Sequence, residues 1–172
     1  ATVVYNATNY TGWGNAVAAS AITLEPGLWS LSNWGGVLVA TISNGKTFTW
    51  DSTIAARFTT RASTTTTSYV TALTGTEGNP TASRMTLISP TTRHLIHLGT
   101  ETTVGTASSQ DDMFLRFSDQ EEINTYAPSA TNSAGTYRLQ DGSKIMGGIV
   151  AKENILIWTD NALYSMKFVG AP

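Results

Sequence analysis

Side chains of alternating character recur at every second residue along much of this chain. A period of two belongs to extended backbone, because successive Cβ atoms of a strand point to opposite faces. In 46–50, Phe48 and Trp50 share one face and Thr47 and Thr49 the other. Met113, Leu115 and Phe117 fall together in 112–118, and Ala162, Tyr164, Met166 and Phe168 alternate with Leu163, Ser165 and Lys167. The i, i+3, i+4, i+7 spacing of an amphipathic helix is almost missing, and only the Ala-rich segment 15–22 has helical character. Composition agrees. There are 29 Thr and 15 Gly, with charged residues at 13%, whereas β-branched Thr suits a half-exposed pleated surface and exposed helices draw on Glu, Lys, Arg, Ala and Leu. The predicted fold class is all-β.

Three apolar runs, 36–40, 94–98 and 154–158, do not alternate and read as strands buried on both faces. Each is followed by turn chemistry, at 43–45, 99–100 and 159–161. Asn44-Gly45 predicts a hairpin with a type I′ turn, which needs positive φ at both central residues, and Asp141-Gly142 predicts a second of the same kind. The runs recur from Val37, His94 and Asn154, at separations of 57 and 60 residues, each followed by a more amphipathic strand. The endings Thr49-Trp-Asp51, Phe117-Ser-Asp119 and Trp158-Thr-Asp160 are alike. Propeller blades are four-stranded units of about 40–50 residues, so the spacing fits blades carrying insertions. Residues 1–172 are expected to form a single all-β domain, or a piece of a larger propeller in a longer chain, built of β-propeller-like blades. A β-sandwich is the alternative. Long polar loops are expected at 59–68 and 99–110.

Ten Lys and Arg against twelve Asp and Glu give a net charge of −2, which provides no basic footprint for phosphate backbones or anionic membranes. With no cysteine there is neither a disulfide framework nor a thiolate nucleophile. No apolar run reaches the roughly 18 residues of a spanning helix, and the start at Ala1 lacks a charged leader region. No membrane partner is expected.

His94 and His97, three apart on a strand, point to opposite faces and cannot share a metal ion. The acidic pairs Asp111-Asp112 and Glu121-Glu122 could serve a glycosidase or a cation but lack calcium-loop spacing, and read as solvated turns. Asp51, Asp119 and Asp160 would line a shared hydrolytic face if three blades converged, although Asp is equally a turn initiator. Trp13, Trp29, Trp34 and Trp50 crowd the first third, as core and subunit-contact residues or as stacking platforms for sugars. The sequons at Asn6 and Asn9 are expected by chance in so Thr-rich a chain. No nucleophile elbow, phosphate-cradling loop or HExxH motif is present. The expectation is no enzyme, with no catalytic, cofactor-binding or metal site and no cofactor.

The turn Ser43-Asn-Gly-Lys-Thr-Phe48 resembles the Gly-x-Thr-aromatic half of the Asp-box of sialidase-like propellers, with Ser43 where the Asp would stand. More broadly, 28–40 (LWSLSNWGGVLVA), 116–128 (RFSDQEEINTYAP), 130–139 (ATNSAGTYRL) and 155–170 (ILIWTDNALYSMKFVG) resemble structural proteins of short-tailed bacteriophages. These are tail-hub or nozzle-type subunits, several times longer than this chain, built on β-propeller-like domains in a ring around the DNA exit channel. The resemblance implies a non-enzymatic virion protein of the tail. Its partners would be other copies of itself and neighbouring phage tail proteins, with passing contact with genomic DNA during ejection. A carbohydrate- or receptor-binding β domain is the alternative function, and a propeller-fold hydrolase using Asp51, Asp119 or Asp160 a third.

Overall fold

The computed structural model describes residues 27–51, 71–72 and 79–170. The Ala-rich segment 15–22, the loop 59–68, Trp13 and both sequons lie outside them. The described residues are all-β, with eleven strands in three antiparallel sheets. The first sheet is the meander β1 (Trp29–Trp34), β2 (Val37–Ile42), β3 (Thr47–Asp51) and β4 (Thr71–Ala72). The second runs β5 (Ser83–Ile88), β6 (Leu95–Thr100), β7 (Phe114–Phe117) and β8 (Gly135–Arg138). The third contains β9 (Ile145–Val150), β10 (Ile155–Thr159) and β11 (Leu163–Met166). The three apolar runs are the second strands of the three sheets, and the amphipathic strands that follow them are the third. The loose repeat in the sequence is therefore a repeat of one meander.

The sheets stack face to face with the second in the middle, β1 and β2 against β5, and β5 against β9. Every residue of β6 is buried, as an apolar run without alternation requires. The same expectation fails for β2 and β10, each of which keeps one face partly open, because their sheets end the stack.

The two internal seams differ in chemistry. Between the second and third sheets Ile96, Leu98, Met113, Leu115, Leu139, Ile145, Ile155 and Ile157 form a fully buried apolar cluster. Gly148 lets the sheets close here, since a Cβ on it would lie 2.7 Å from Leu87 Cδ1 and 3.0 Å from Leu98 Cδ1. Between the first and second sheets Trp34, Val39, Leu95 and Tyr126 make a smaller cluster, flanked by hydroxyls. Thr41 Oγ1 lies 2.8 Å from both Thr47 Oγ1 and Thr86 Oγ1, and the Thr86 N–H donates to Ser30 Oγ at 3.1 Å. The half-exposed role expected of the threonines is thus reversed for Thr41, Thr47 and Thr86, all buried. Each hydroxyl finds another, which removes the cost of burying it.

Both predicted turns need correction. Asn44-Gly45 does join β2 to β3, but only Asn44 has positive φ (59°). Gly45 closes the turn by donating to Ile42 O at 2.9 Å, so Ser43 and Asn44 are the central residues and the turn is not type I′. The hairpin tip is also held from outside, since Asn44 N–H donates to Ser83 O at 2.8 Å and Ser83 N–H to Gly45 O at 3.1 Å. Asp141-Gly142 closes no hairpin. It links β8, the edge of the second sheet, to β9, the start of the third, where the chain begins a new meander. The polar connection expected at 99–110 begins later, because Gly99 and Thr100 complete β6.

Candidate functional site

Three places in the fold gather side chains with functional potential: the imidazole of His97 in the first seam, that of His94 in the second, and the outward faces of the first and third sheets. His97 stands on the face of β6 toward the first sheet and is fully buried. Its Nδ1 lies 2.9 Å from Ser83 Oγ and its Nε2 2.9 Å from Tyr126 Oη, with the tyrosine ring edge-on to it. Burial first, and the nearby Arg116 guanidinium second, pull its pKa down to about 3. Neutral His97 is a structural link between strands.

His94 sits on the opposite side of the strand run, as expected, against Phe117 and Phe168. It borders a cavity of about 400 Å³ between the second and third sheets, lined also by Ile155, Met166 and Phe168. Beside it stands a serine that sequence reading passed over. Ser133 Oγ is 3.0 Å from His94 Nε2 and donates to Asp119 Oδ1 at 2.8 Å. Burial acts to raise the Asp119 pKa, but hydrogen bonds from Ser133 and Gln120, with His94 nearby, hold it below the usual carboxylate range. An ionised carboxylate cannot donate, so the Ser133 proton is committed to Asp119 and its oxygen accepts from His94 Nε2–H. His94 Nδ1 then accepts from Thr92 Oγ1 at 2.5 Å, and Thr92 from Ser89 at 2.8 Å. In a hydrolytic triad the carboxylate faces Nδ1 and the serine gives its proton to Nε2. The order here is inverted, and nothing in the chain of hydrogen bonds withdraws the serine proton. Desolvation lowers the His94 pKa despite the opposing pull of Asp119, which keeps the ring neutral at neutral pH.

The carboxylates proposed as a shared face are not equivalent. Asp51 and Asp119 terminate or follow third strands, whereas Asp160 follows β10, a second strand. In an antiparallel meander the end of the second strand lies opposite the end of the third, so Asp160 is out of place in that set. It accepts from Ser143 N–H at 2.8 Å and Ser143 Oγ at 2.5 Å, fastening the β8–β9 link. Of the acidic pairs, Asp111 accepts from Arg138 Nε at 2.7 Å, Asp112 faces Arg84 at 3.4 Å, and Glu121 faces Arg93 at 3.0 Å. Glu122 accepts from Asn124 N–H at 3.0 Å. Among the described residues no cluster of three or more His, Asp or Glu could hold a metal ion, and no helix is long and apolar enough to cross a membrane.

Glu101 is the buried acid that sequence reading missed. Its Oε1 accepts from the Thr81 N–H at 2.9 Å and from the Thr81 hydroxyl, and its Oε2 from Gly105 N–H at 2.6 Å and Thr106 N–H at 3.1 Å. Four donors on one carboxylate offset its desolvation and tie the loop after β6 to the segment before β5.

Within their strands the outward faces carry no charged residue, and Lys46 and Lys167, both exposed, continue the same alternation just beyond the strand ends. By strand register, Trp29, Leu31, Leu38, Ala40, Ile42 and Phe48 share the face of the first sheet that points away from the second. Leu31 is 64% exposed, and Trp29 tilts against Phe48 with ring centroids 6.1 Å apart. On the third sheet Ile149, Leu156, Trp158 and Leu163 form the corresponding face. Leu163 is 66% and Ile149 55% exposed. Trp158 lies flat over Gly147, where a Cβ would stand 2.7 Å from the indole. Of the tryptophans, Trp34 is core, with Arg93 stacked on it at 5.1 Å, whereas Trp29 and Trp158 belong to these open faces. Large exposed apolar faces on a folded chain mark contact surfaces.

No family model, curated protein or solved structure matches this chain.

Proposed function

We propose that this chain is a non-enzymatic structural protein of a virion. In this reading it is a β-propeller-like part of the tail hub or nozzle ring of a short-tailed bacteriophage, placed around the DNA exit channel and working through contact with its own copies and neighbouring tail proteins. One observation carries the reading: a stack of three like meanders ends, on both sides, in an uncharged apolar sheet face. β2 and β10 are composed for burial on two sides, and among the described residues only one side of each is fully buried. The packing of β1 on β5 and of β5 on β9 supports reading the sheets as blades set around an axis, and such a ring closes only with about four to eight blades. A net charge of −2 suits a conduit past which a polyanion slides without being held.

The reading is tested by location. Antibodies against the chain, applied to purified virions that carry its gene and imaged by electron microscopy, decorate the tail at one level. A purified particle that lacks the chain overturns the proposal. The carbohydrate-binding alternative rests on the exposed Trp29 ring beside Phe48. It requires a glycan-array signal that Trp29→Ala abolishes.

A further inference from the structure

The open faces differ from one another, which allows the partner to be specified. The geometry points to head-to-tail pairing of two copies, the first-sheet face of each against the third-sheet face of the other, closing a ring of six sheets. The inference rests on the structural reading above and adds to it the identity, polarity and number of the partners.

Three arguments lead there. The first is charge. Within its strands neither face carries an ionisable side chain, and Lys46 and Lys167 stand only at the edges, so the middle of each face suits an uncharged surface. The second is continuity. Inside the chain the second sheet already receives a sheet on each of its faces, and the apolar seam between β6 and β10 shows how one meander seats on the next. Placing a first sheet on a third repeats that contact in the same direction, whereas a first sheet on a first would reverse it.

The third argument is area. A face three strands wide and five or six residues long projects to ~14 by ~18 Å, roughly 250 Å², from the spacings of a pleated sheet. A stable interface removes about 600–1,000 Å² per partner, and contacts much smaller are of the kind that crystal packing makes. One face alone falls short. Two used at once reach roughly 500 Å² in projection, and more in accessible area because the Trp and Leu side chains stand out from the sheet. A closed pair uses both faces of both copies. It also contains six sheets, within the range of about four to eight at which propellers close. An open chain of copies would leave one face bare at each end, the condition that favours further growth.

The experiment exploits the lack of native cysteine. Leu31→Cys and Leu163→Cys each place one thiol at an exposed position on one face, and circular dichroism checks that each variant keeps its strands. The full chain is treated with a short bifunctional maleimide. Mixing the two variants is expected to give a cross-linked pair in at least tenfold greater yield than either variant alone. The double variant is expected to give a doubly linked species at the mass of two 18.3 kDa chains, without a ladder. Efficient cross-linking of either single variant by itself would mean like faces meet and would overturn the inference. A ladder of longer products would overturn closure. Both results leave self-assembly and the virion location standing. A wild-type chain that sediments as a monomer at every concentration removes self-pairing altogether, while the antibody experiment still decides the location independently.

Discussion

Lowering the pH from 7 to 5 should cost this protein about 2 kcal/mol of stability through one side chain, His97. The ring's hydrogen bonds do not forbid a second proton, since Ser83 Oγ and Tyr126 Oη can both turn to accept. Desolvation does, reinforced by the positive charge of Arg116, and the pKa in the folded chain is down to about 3. In the unfolded chain it returns to about 6.5. Because the folded value is the lower one, the stabilisation is complete above about 6.5, where both states are neutral, and is lost as pH falls through the window from about 6.5 to about 3. Each pH unit inside that window costs about 1.4 kcal/mol, so the step from 6.5 to 5 costs about 2 kcal/mol. That figure requires only that the folded pKa lie below 5. Asp111 and Asp119, whose pKa values are held down from the ordinary carboxylate value near 3.8, add a loss only at still lower pH. Urea unfolding followed by tryptophan fluorescence at pH 7 and pH 5 measures the difference. His97→Gln lowers stability at both values but should remove about 2 kcal/mol of the pH dependence, leaving the part due to His94. Equal pH dependence in the variant and the parent would refute the argument.

Asp119→Asn takes away the charge that raises the His94 pKa against desolvation, so the NMR titration of His94 should move to still lower pH. Glu101→Ala strands the N–H groups of Thr81, Gly105 and Thr106 and should cost about 3 kcal/mol, with faster amide exchange at Gly105 and Thr106 than elsewhere. Ile157→Ala empties part of the apolar seam at an expected cost of about 3 kcal/mol in urea unfolding. Gly142→Ala should destabilise by more than 1 kcal/mol, because φ there is +116° and a Cβ would lie 2.6 Å from Asp160 Oδ1. A neutral result would mean that the link between β8 and β9 is free to shift.

What a period of two encodes is local, and the local readings held: strands at 37–42, 47–51, 95–100, 114–117, 155–159 and 163–166 each overlap a segment read from alternation or apolar runs, some running one or two residues past it. The alternation of Tyr164 and Met166 inward with Leu163 and Ser165 outward was legible residue by residue. The 57-residue and 60-residue spacings marked the second strands of three like sheets, because each meander restates the same apolar strand. Other features depend on contacts between residues far apart in the chain. Asp141-Gly142 has hairpin chemistry, but whether β8 and β9 pair or part is set by the seam beyond them. Ser133 meets His94 and Asp119 only once a loop folds back. The threonines of β2, β3 and β5 carry no mark in the sequence to say they are buried, since a hydroxyl is cheap to bury only beside a hydrogen-bonding partner, and for Thr41 and Thr86 that partner comes from a different sheet. Strand composition alone prepared β2, β6 and β10 for cover on both sides. Stacking order decided that β6 received it and that the other two, among the described residues, keep one apolar face partly open, because a stack of three sheets has one middle and two ends.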